Sequence, residues 1–140
     1  MITRFKQQVD IPYSLHDMIV NQIILENDTV YLRFEHGYIR AKEPYPQVNG
    51  SISIEEVDQD SACILLLSDL GRYGDFRGKK MSLKDFLYQY NEYSFEIVDE
   101  MYGFNQVEYI GYLRLRDKEE SIQMSLSMYF TGDIVYETEE

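Results

Sequence analysis

The chain is poor in the residues on which most reactive sites depend, with one cysteine, two histidines and no tryptophan among its 140 residues. The lone cysteine, Cys63, cannot form an internal disulfide, and its place in the apolar run ACILLL is typical of a small buried hydrophobe. This usage favours a reducing compartment, so we expect a cytoplasmic protein.

Long apolar runs are also missing. The longest uncharged run covers residues 121–132 and contains serine and glutamine, whereas a bilayer span needs roughly 20 apolar residues. The first ten residues, MITRFKQQVD, carry charges and no apolar centre, unlike a signal peptide. We therefore expect no contact with a membrane.

Positive charge is scarce, with 13 basic residues against 25 acidic ones and a net charge of -12. Such a balance repels the phosphates of nucleic acids and of anionic lipids. We expect no nucleic-acid partner, and any protein partner is expected to be basic.

No catalytic or cofactor motif is complete. A metal site at the pair His16-Asp17 would need further histidine and aspartate ligands, which the sequence does not indicate. Asp58 and Asp60 begin like a calcium loop, but Ala62 occupies the third ligand position, where that loop needs oxygen. No serine lies in a nucleophile elbow. We expect no metal and no cofactor, and an enzyme with dispersed carboxylates is the last of the functions considered.

One segment, GRYGDFRGKKMS, departs from this acidity: residues 72–84 hold five basic residues and one acidic residue. It fails as a phosphate-binding P-loop, because Tyr73 and Lys80 occupy the positions that require glycine and a hydroxyl group. A helix start at Ser82 still favours an anion there, although a solvated loop over residues 71–84 is the preferred interpretation. The candidate anion-binding residues are Arg72, Arg77, Lys79, Lys80, Ser82 and Lys84.

Alternation of apolar and polar residues, the pattern of half-buried strands, recurs through most of the chain. A hairpin is predicted around Asn27-Asp28, and an acidic hairpin turn is predicted at residues 55–60. The segments VEYIGYLRLR, SIQMSLSMYF and DIVYETE are joined by short loops, which predicts a three-stranded C-terminal meander.

One amphipathic helix is predicted near residues 82–92, since Leu83, Phe86, Leu87 and Tyr90 follow helical spacing after the cap at Ser82. Residues 1–140 are expected to form a single domain. The predicted fold class is α+β, predominantly antiparallel β, as a sandwich or partly closed barrel of about seven to nine strands with this helix on one face or end.

The function favoured by charge is a non-enzymatic protein-binding module, in one version an inhibitor or immunity-type protein that covers a basic surface such as that of a nuclease. The alternative is a small-ligand or anion-binding protein that uses residues 71–84. Thirteen tyrosines suit protein contacts, and homodimer formation stays open. The polar face of the meander is the predicted contact surface, with candidates Tyr112, Arg114, Arg116, Ser125 and Ser127.

Overall fold

The alternating pattern produces thirteen strands and one short helix in this computed structural model, which describes residues 1–5, 10–68, 77–116 and 118–139. The strands are β1 (Ile2–Phe5), β2 (Tyr13–Ser14), β3 (Ile19–Glu26), β4 (Thr29–Phe34), β5 (Tyr38–Arg40), β6 (Gln47–Val48), β7 (Gly50–Ile54), β8 (Cys63–Ser68), β9 (Arg77–Ser82), β10 (Tyr93–Gly103), β11 (Gln106–Leu115), β12 (Ser121–Tyr129) and β13 (Ile134–Thr138). The helix is α1 (Leu83–Gln89).

Ten strands form one antiparallel sheet in the order β1-β13-β7-β4-β3-β10-β11-β12-β8-β9, and β2, β5 and β6 form a second sheet. We call β1, β13, β7, β4 and β3 the first half-sheet, and β10, β11, β12, β8 and β9 the second half-sheet. The predominantly antiparallel α+β prediction is confirmed. The number of strands exceeds the seven to nine predicted, and the large sheet is not a closed barrel, since β1 and β9 are its two edges.

The large sheet folds back on itself. Its halves are joined where β3 pairs with β10, at Ile19 and Val20. The rings of Phe5 on β1 and Tyr102 on β10 nevertheless lie 5.4 Å apart, although five strand spacings would separate these strands by roughly 24 Å in a flat sheet. The first half-sheet therefore curls over β10, and both halves bury side chains in one hydrophobic core.

The helix closes one end of this core. Leu83 and Phe86 are fully buried, and the Phe86 ring meets the Tyr93 ring edge to face at 5.3 Å. The predicted helix is too long at its C-terminal end, because the chain at Tyr90 is already extended, with φ -120° and ψ 124°. No helix within the described ranges is long and apolar enough to cross a bilayer.

Local signals are confirmed at two hairpins. β3 and β4 pair across Asn27 and Asp28, which have φ values of 50° and 63°, as the tight turns of such hairpins require. β11 and β12 also pair along their lengths, from Gln106 opposite Tyr129 to Arg114 opposite Ser121.

Two other predicted hairpins are wrong. β13 pairs with β1 and β7 rather than with β12, and β8 pairs with β12 and β9 rather than with β7. The chain instead passes between the half-sheets twice, through the first crossover segment (residues 55–62) and the second crossover segment (residues 130–133). These segments run side by side, with a β-bridge between Val57 and Phe130.

Candidate functional site

The basic segment does not bring its candidate residues to one place. Arg72 lies outside the described residues, and Arg77 begins β9. Lys79 and Lys80 are exposed neighbours on this strand, paired with consecutive residues of β8. Successive side chains of a strand leave opposite faces, so the two ammonium groups diverge.

The end of the same segment has a structural role. Ser82 caps α1, since its hydroxyl oxygen accepts the backbone N–H of Asp85 at 3.0 Å, and Lys84 is exposed in the first turn. Residues 77–82 form a strand rather than a continuation of the predicted loop. Anion binding by this segment stays a prediction.

The predicted contact face is assembled by the second half-sheet. Tyr112 and Arg114 on β11 lie on the same outer face as Ser125 and Ser127 on β12, as their cross-strand register requires. Ser125 is only 8% exposed, because it lies between the larger side chains of Ile110 and Leu65 in the cross-strand register. The use of the face in a protein contact stays a prediction.

The fifth candidate of that face is held at its margin. Arg116 follows the end of β11, and its guanidinium group donates to both carboxylate oxygens of Glu92 at 2.8 Å. Both hydrogen bonds use the same nitrogen, Nη1, and both side chains are exposed, so this surface pair contributes at most about 1 kcal/mol.

A feature that the sequence did not predict lies where the two crossover segments run together. A cleft of about 940 Å³ opens there, and thirteen of the described residues line it, five of them acidic and none basic. The acidic residues are Asp28, Glu55, Glu56, Asp58 and Asp133. We call this feature the acidic cleft.

Backbone hydrogen bonds hold the walls of the acidic cleft. The first crossover segment lies in the middle, where Val57 donates its N–H to the carbonyl oxygen of Asp28 at 2.8 Å. On its other side, Glu55 donates to the carbonyl oxygen of Asp133 at 2.9 Å, and Thr131 donates to that of Glu56 at 3.0 Å. Acidic residues from three distant parts of the sequence thereby converge.

Arg4 neutralises one side of the cleft. Its Nη1 atom lies 2.9 Å from Glu55 Oε1 and 3.1 Å from Asp133 Oδ2, and the hydrogen bond to Asp133, followed by that to Glu55, raises the pKa of Arg4. Within the described part of the chain, no lysine or arginine forms an ion pair with Asp28, Glu56 or Asp58. Negative charge is therefore concentrated on the side away from Arg4.

Glu56 has an uncommon backbone conformation, with a φ of 54°. Asparagine and aspartate adopt this left-handed region readily, whereas other residues seldom do. The conformation turns the first crossover segment at the cleft, and the bond from Thr131 to the Glu56 carbonyl oxygen holds it. Strained backbone of this kind recurs at binding sites, so Glu56 is a candidate binding residue of the cleft.

A smaller pocket adjoins the acidic cleft. It encloses about 300 Å³ and shares Asn105, Phe130, Thr131 and Gly132 with the cleft as a common wall. None of its nine described lining residues is charged, and four are aromatic: Phe5, Tyr102, Phe104 and Phe130. Phe104 is 76% exposed. We call this feature the aromatic pocket.

A partly buried carboxylate supports the floor of the aromatic pocket. Glu100 accepts the hydroxyl hydrogen of Tyr102 at 2.6 Å and the backbone N–H of Leu15 at 2.9 Å. Burial raises the pKa of Glu100, and these two hydrogen bonds oppose the rise. The carboxylate therefore orients Tyr102 and holds the chain at Leu15 against β10.

Among the described residues, no three histidine, cysteine, aspartate or glutamate side chains are placed to hold a metal ion. The carboxylates of the cleft line an open surface instead of converging on one point. Comparisons with family models, curated proteins and solved structures found no match to this chain. The functional argument therefore depends on geometry and charge.

Proposed function

We propose that the protein is a non-enzymatic protein-binding module whose acidic cleft binds a basic segment of a partner protein. The observation that carries this proposal is a cleft of about 940 Å³ whose lining, among the residues that the structure describes, has five acidic residues and no basic one. Lysine and arginine side chains complement such a surface in charge, and electrostatic complementarity supplies specificity and rapid association.

The arrangement of charge supports a partner that presents several cations. An exposed ion pair contributes at most about 1 kcal/mol, so one lysine at Asp28, Glu56 or Asp58 is bound weakly. A basic segment of the partner that pairs with all three carboxylates gains up to roughly 3 kcal/mol of binding free energy from these ion pairs. Salt reduces this gain by screening the charges. The net charge of -12 adds long-range attraction before contact.

An inhibitor or immunity-type protein is one form of this function, since a module that covers a basic surface blocks access to it. Anion binding by residues 71–84 of this chain is less well supported, because the side chains of Lys79 and Lys80 leave opposite faces of β9. The partner chemistry that we adopt is therefore cationic.

The proposal is tested by titrating the protein with acetylated hexalysine amide in a calorimeter, at ionic strengths of about 0.02 M and 0.15 M. The test variant combines Glu56→Gln with Asp58→Asn, two exposed residues of the cleft. The control variant combines Glu119→Gln with Glu120→Gln, which are exposed in the turn at the opposite end of β11 and β12. Both variants remove two negative charges.

We expect the cleft variant to weaken hexalysine binding about 5-fold or more at the lower ionic strength, the effect of losing two exposed pairs. The control variant should weaken it by less than about 2-fold at the same ionic strength, because the length of β12 separates its charges from the cleft by roughly 26 Å, more than the Debye length of roughly 21 Å at about 0.02 M. Equal weakening by both variants would show that only net charge matters, and absence of binding would also reject the proposal.

A further inference from the structure

We infer that the aromatic pocket receives one aromatic side chain from the same basic segment that occupies the acidic cleft. The partner sequence would then place a phenylalanine-type anchor among lysines or arginines. This inference rests on the proposed function and specifies the chemistry of its partner.

The lining of the pocket favours an aromatic occupant. Phe5 and Phe130 are only 2% and 7% exposed, so Tyr102 and Phe104 offer the aromatic surface against which an incoming ring can pack edge to face. Phe104, at the tip of the β10–β11 hairpin, is 76% exposed. An incoming ring that covers Phe104 removes apolar surface of both partners from water.

A cation fits this pocket poorly. No carboxylate belongs to its described lining, and the nearest acid of β10, Glu100, is occupied by the hydroxyl group of Tyr102 and the N–H of Leu15. An ammonium group there would meet only the faces of aromatic rings, a weak attraction at an exposed site, whereas the acidic cleft offers it five carboxylates. Lysines are therefore expected in the acidic cleft and the apolar anchor in the aromatic pocket.

The common wall places the two features within reach of one peptide. Phe130 belongs to both linings, and its N–H donates to the carbonyl oxygen of Asn105, another shared residue, at 3.0 Å. An extended chain advances roughly 3.3 Å per residue. Residues next to the anchor can therefore face the carboxylates across this wall.

The experiment compares two peptides, Lys-Lys-Lys-Phe-Lys-Lys-Lys and Lys-Lys-Lys-Ala-Lys-Lys-Lys, which differ only in the central residue. Each is titrated into the unmodified protein, the Phe104→Ala variant and the Tyr88→Ala variant. Tyr88 is the matched control, since it is 92% exposed on α1 and lines neither feature. Thermal unfolding checks that both variants are folded.

For the unmodified protein we expect the phenylalanine peptide to bind about 5-fold more tightly than the alanine peptide, since partial burial of the ring removes apolar surface from water. Phe104→Ala should reduce this ratio towards unity, and Tyr88→Ala should leave it unchanged. The ratio should also persist at high salt, because apolar contact is not screened.

Three results would overturn the inference. Equal affinities of the two peptides for the unmodified protein would reject the anchor while leaving the acidic cleft as a cation site. A phenylalanine advantage that survives Phe104→Ala would place the anchor elsewhere. Absence of binding by both peptides would reject the inference together with the proposed function.

Discussion

The backbone N–H of Phe130 donates to the carbonyl oxygen of Asn105 at 3.0 Å, which joins the second crossover segment to the tip of the β10–β11 hairpin. Asn105 occupies the left-handed region, with a φ of 55°, as tight turns often require. The position of the common wall of the acidic cleft and the aromatic pocket therefore depends on the pairing of β10 with β11, which places the hairpin tip.

Gly111 permits the close approach of β10 and β11. A Cβ atom at this position would lie 1.7 Å from the carbonyl oxygen of Glu96, so we expect Gly111→Ala to lower the free energy of unfolding by about 2 kcal/mol or more. Urea unfolding measures this change. Gly103→Ala is the control, because its nearest contact would be Gln106 Cβ at 3.8 Å; comparable losses in both variants would argue against the predicted packing.

Glu100 gives the stability a specific pH dependence. Its pKa is raised above 4.5, chiefly by burial, so the folded state binds this proton more tightly than the unfolded state. The free energy of unfolding should therefore fall as the pH rises from about 4.5 through the raised pKa, in comparison with Glu100→Gln. Above that pKa the difference between the two proteins should be constant.

Urea unfolding of both proteins at a series of pH values from about 4 to 7 measures this difference. A parallel pair in a His16→Gln background removes the nearby imidazole, whose pKa is raised chiefly by the Val98 carbonyl oxygen. The fall of this difference with rising pH should persist in that background. A difference that is constant with pH, or one that rises with pH, would contradict the assignment.

Removal of a cation from the protein should strengthen its binding of cations. Arg4 pairs with Glu55 and Asp133 and is 56% exposed, so Arg4→Gln should leave the fold intact and return two carboxylates to the acidic cleft. We expect roughly 2-fold to 5-fold tighter hexalysine binding at low ionic strength, measured by calorimetry. Lys118→Gln removes the same charge at the far end of β11, and an equal gain there would point to net charge instead.

Local features of the fold could be predicted because neighbouring residues determine them. Asn27 and Asp28 define a tight turn, Ser82 caps the helix, and the alternation in SIQMSLSMY places Met124 and Leu126 in the core. The C-terminal end of the helix could not be placed, since Tyr90 continues the apolar stripe although its backbone is extended.

The crossover segments could not be predicted because short loops fit two topologies. Residues 130–133 have a length typical of a hairpin, but β13 finds its partners in the first half-sheet, β1 and β7. Pairing between distant strands is decided by packing of the whole core, which a local pattern does not contain.

The acidic cleft could not be predicted from the sequence for the same reason. The run EEVDQD was visible in the sequence, but Asp28 and Asp133 join it only through the crossover segments. The basic segment, in contrast, is conspicuous in composition, yet strand geometry sends Lys79 and Lys80 to opposite faces. Proximity in sequence was therefore a poor guide to proximity of charge.

The most direct test of a cation-binding cleft is a two-dimensional nuclear magnetic resonance titration of the isotopically labelled protein with acetylated hexalysine amide. We predict saturable amide shifts concentrated at the cleft, namely at Asp28, residues 55–58, Asn105 and residues 129–133, the elements of its lining. The amides of Glu119 and Glu120 should change little. Shifts spread evenly over the acidic surface, or concentrated away from the cleft, would contradict the account.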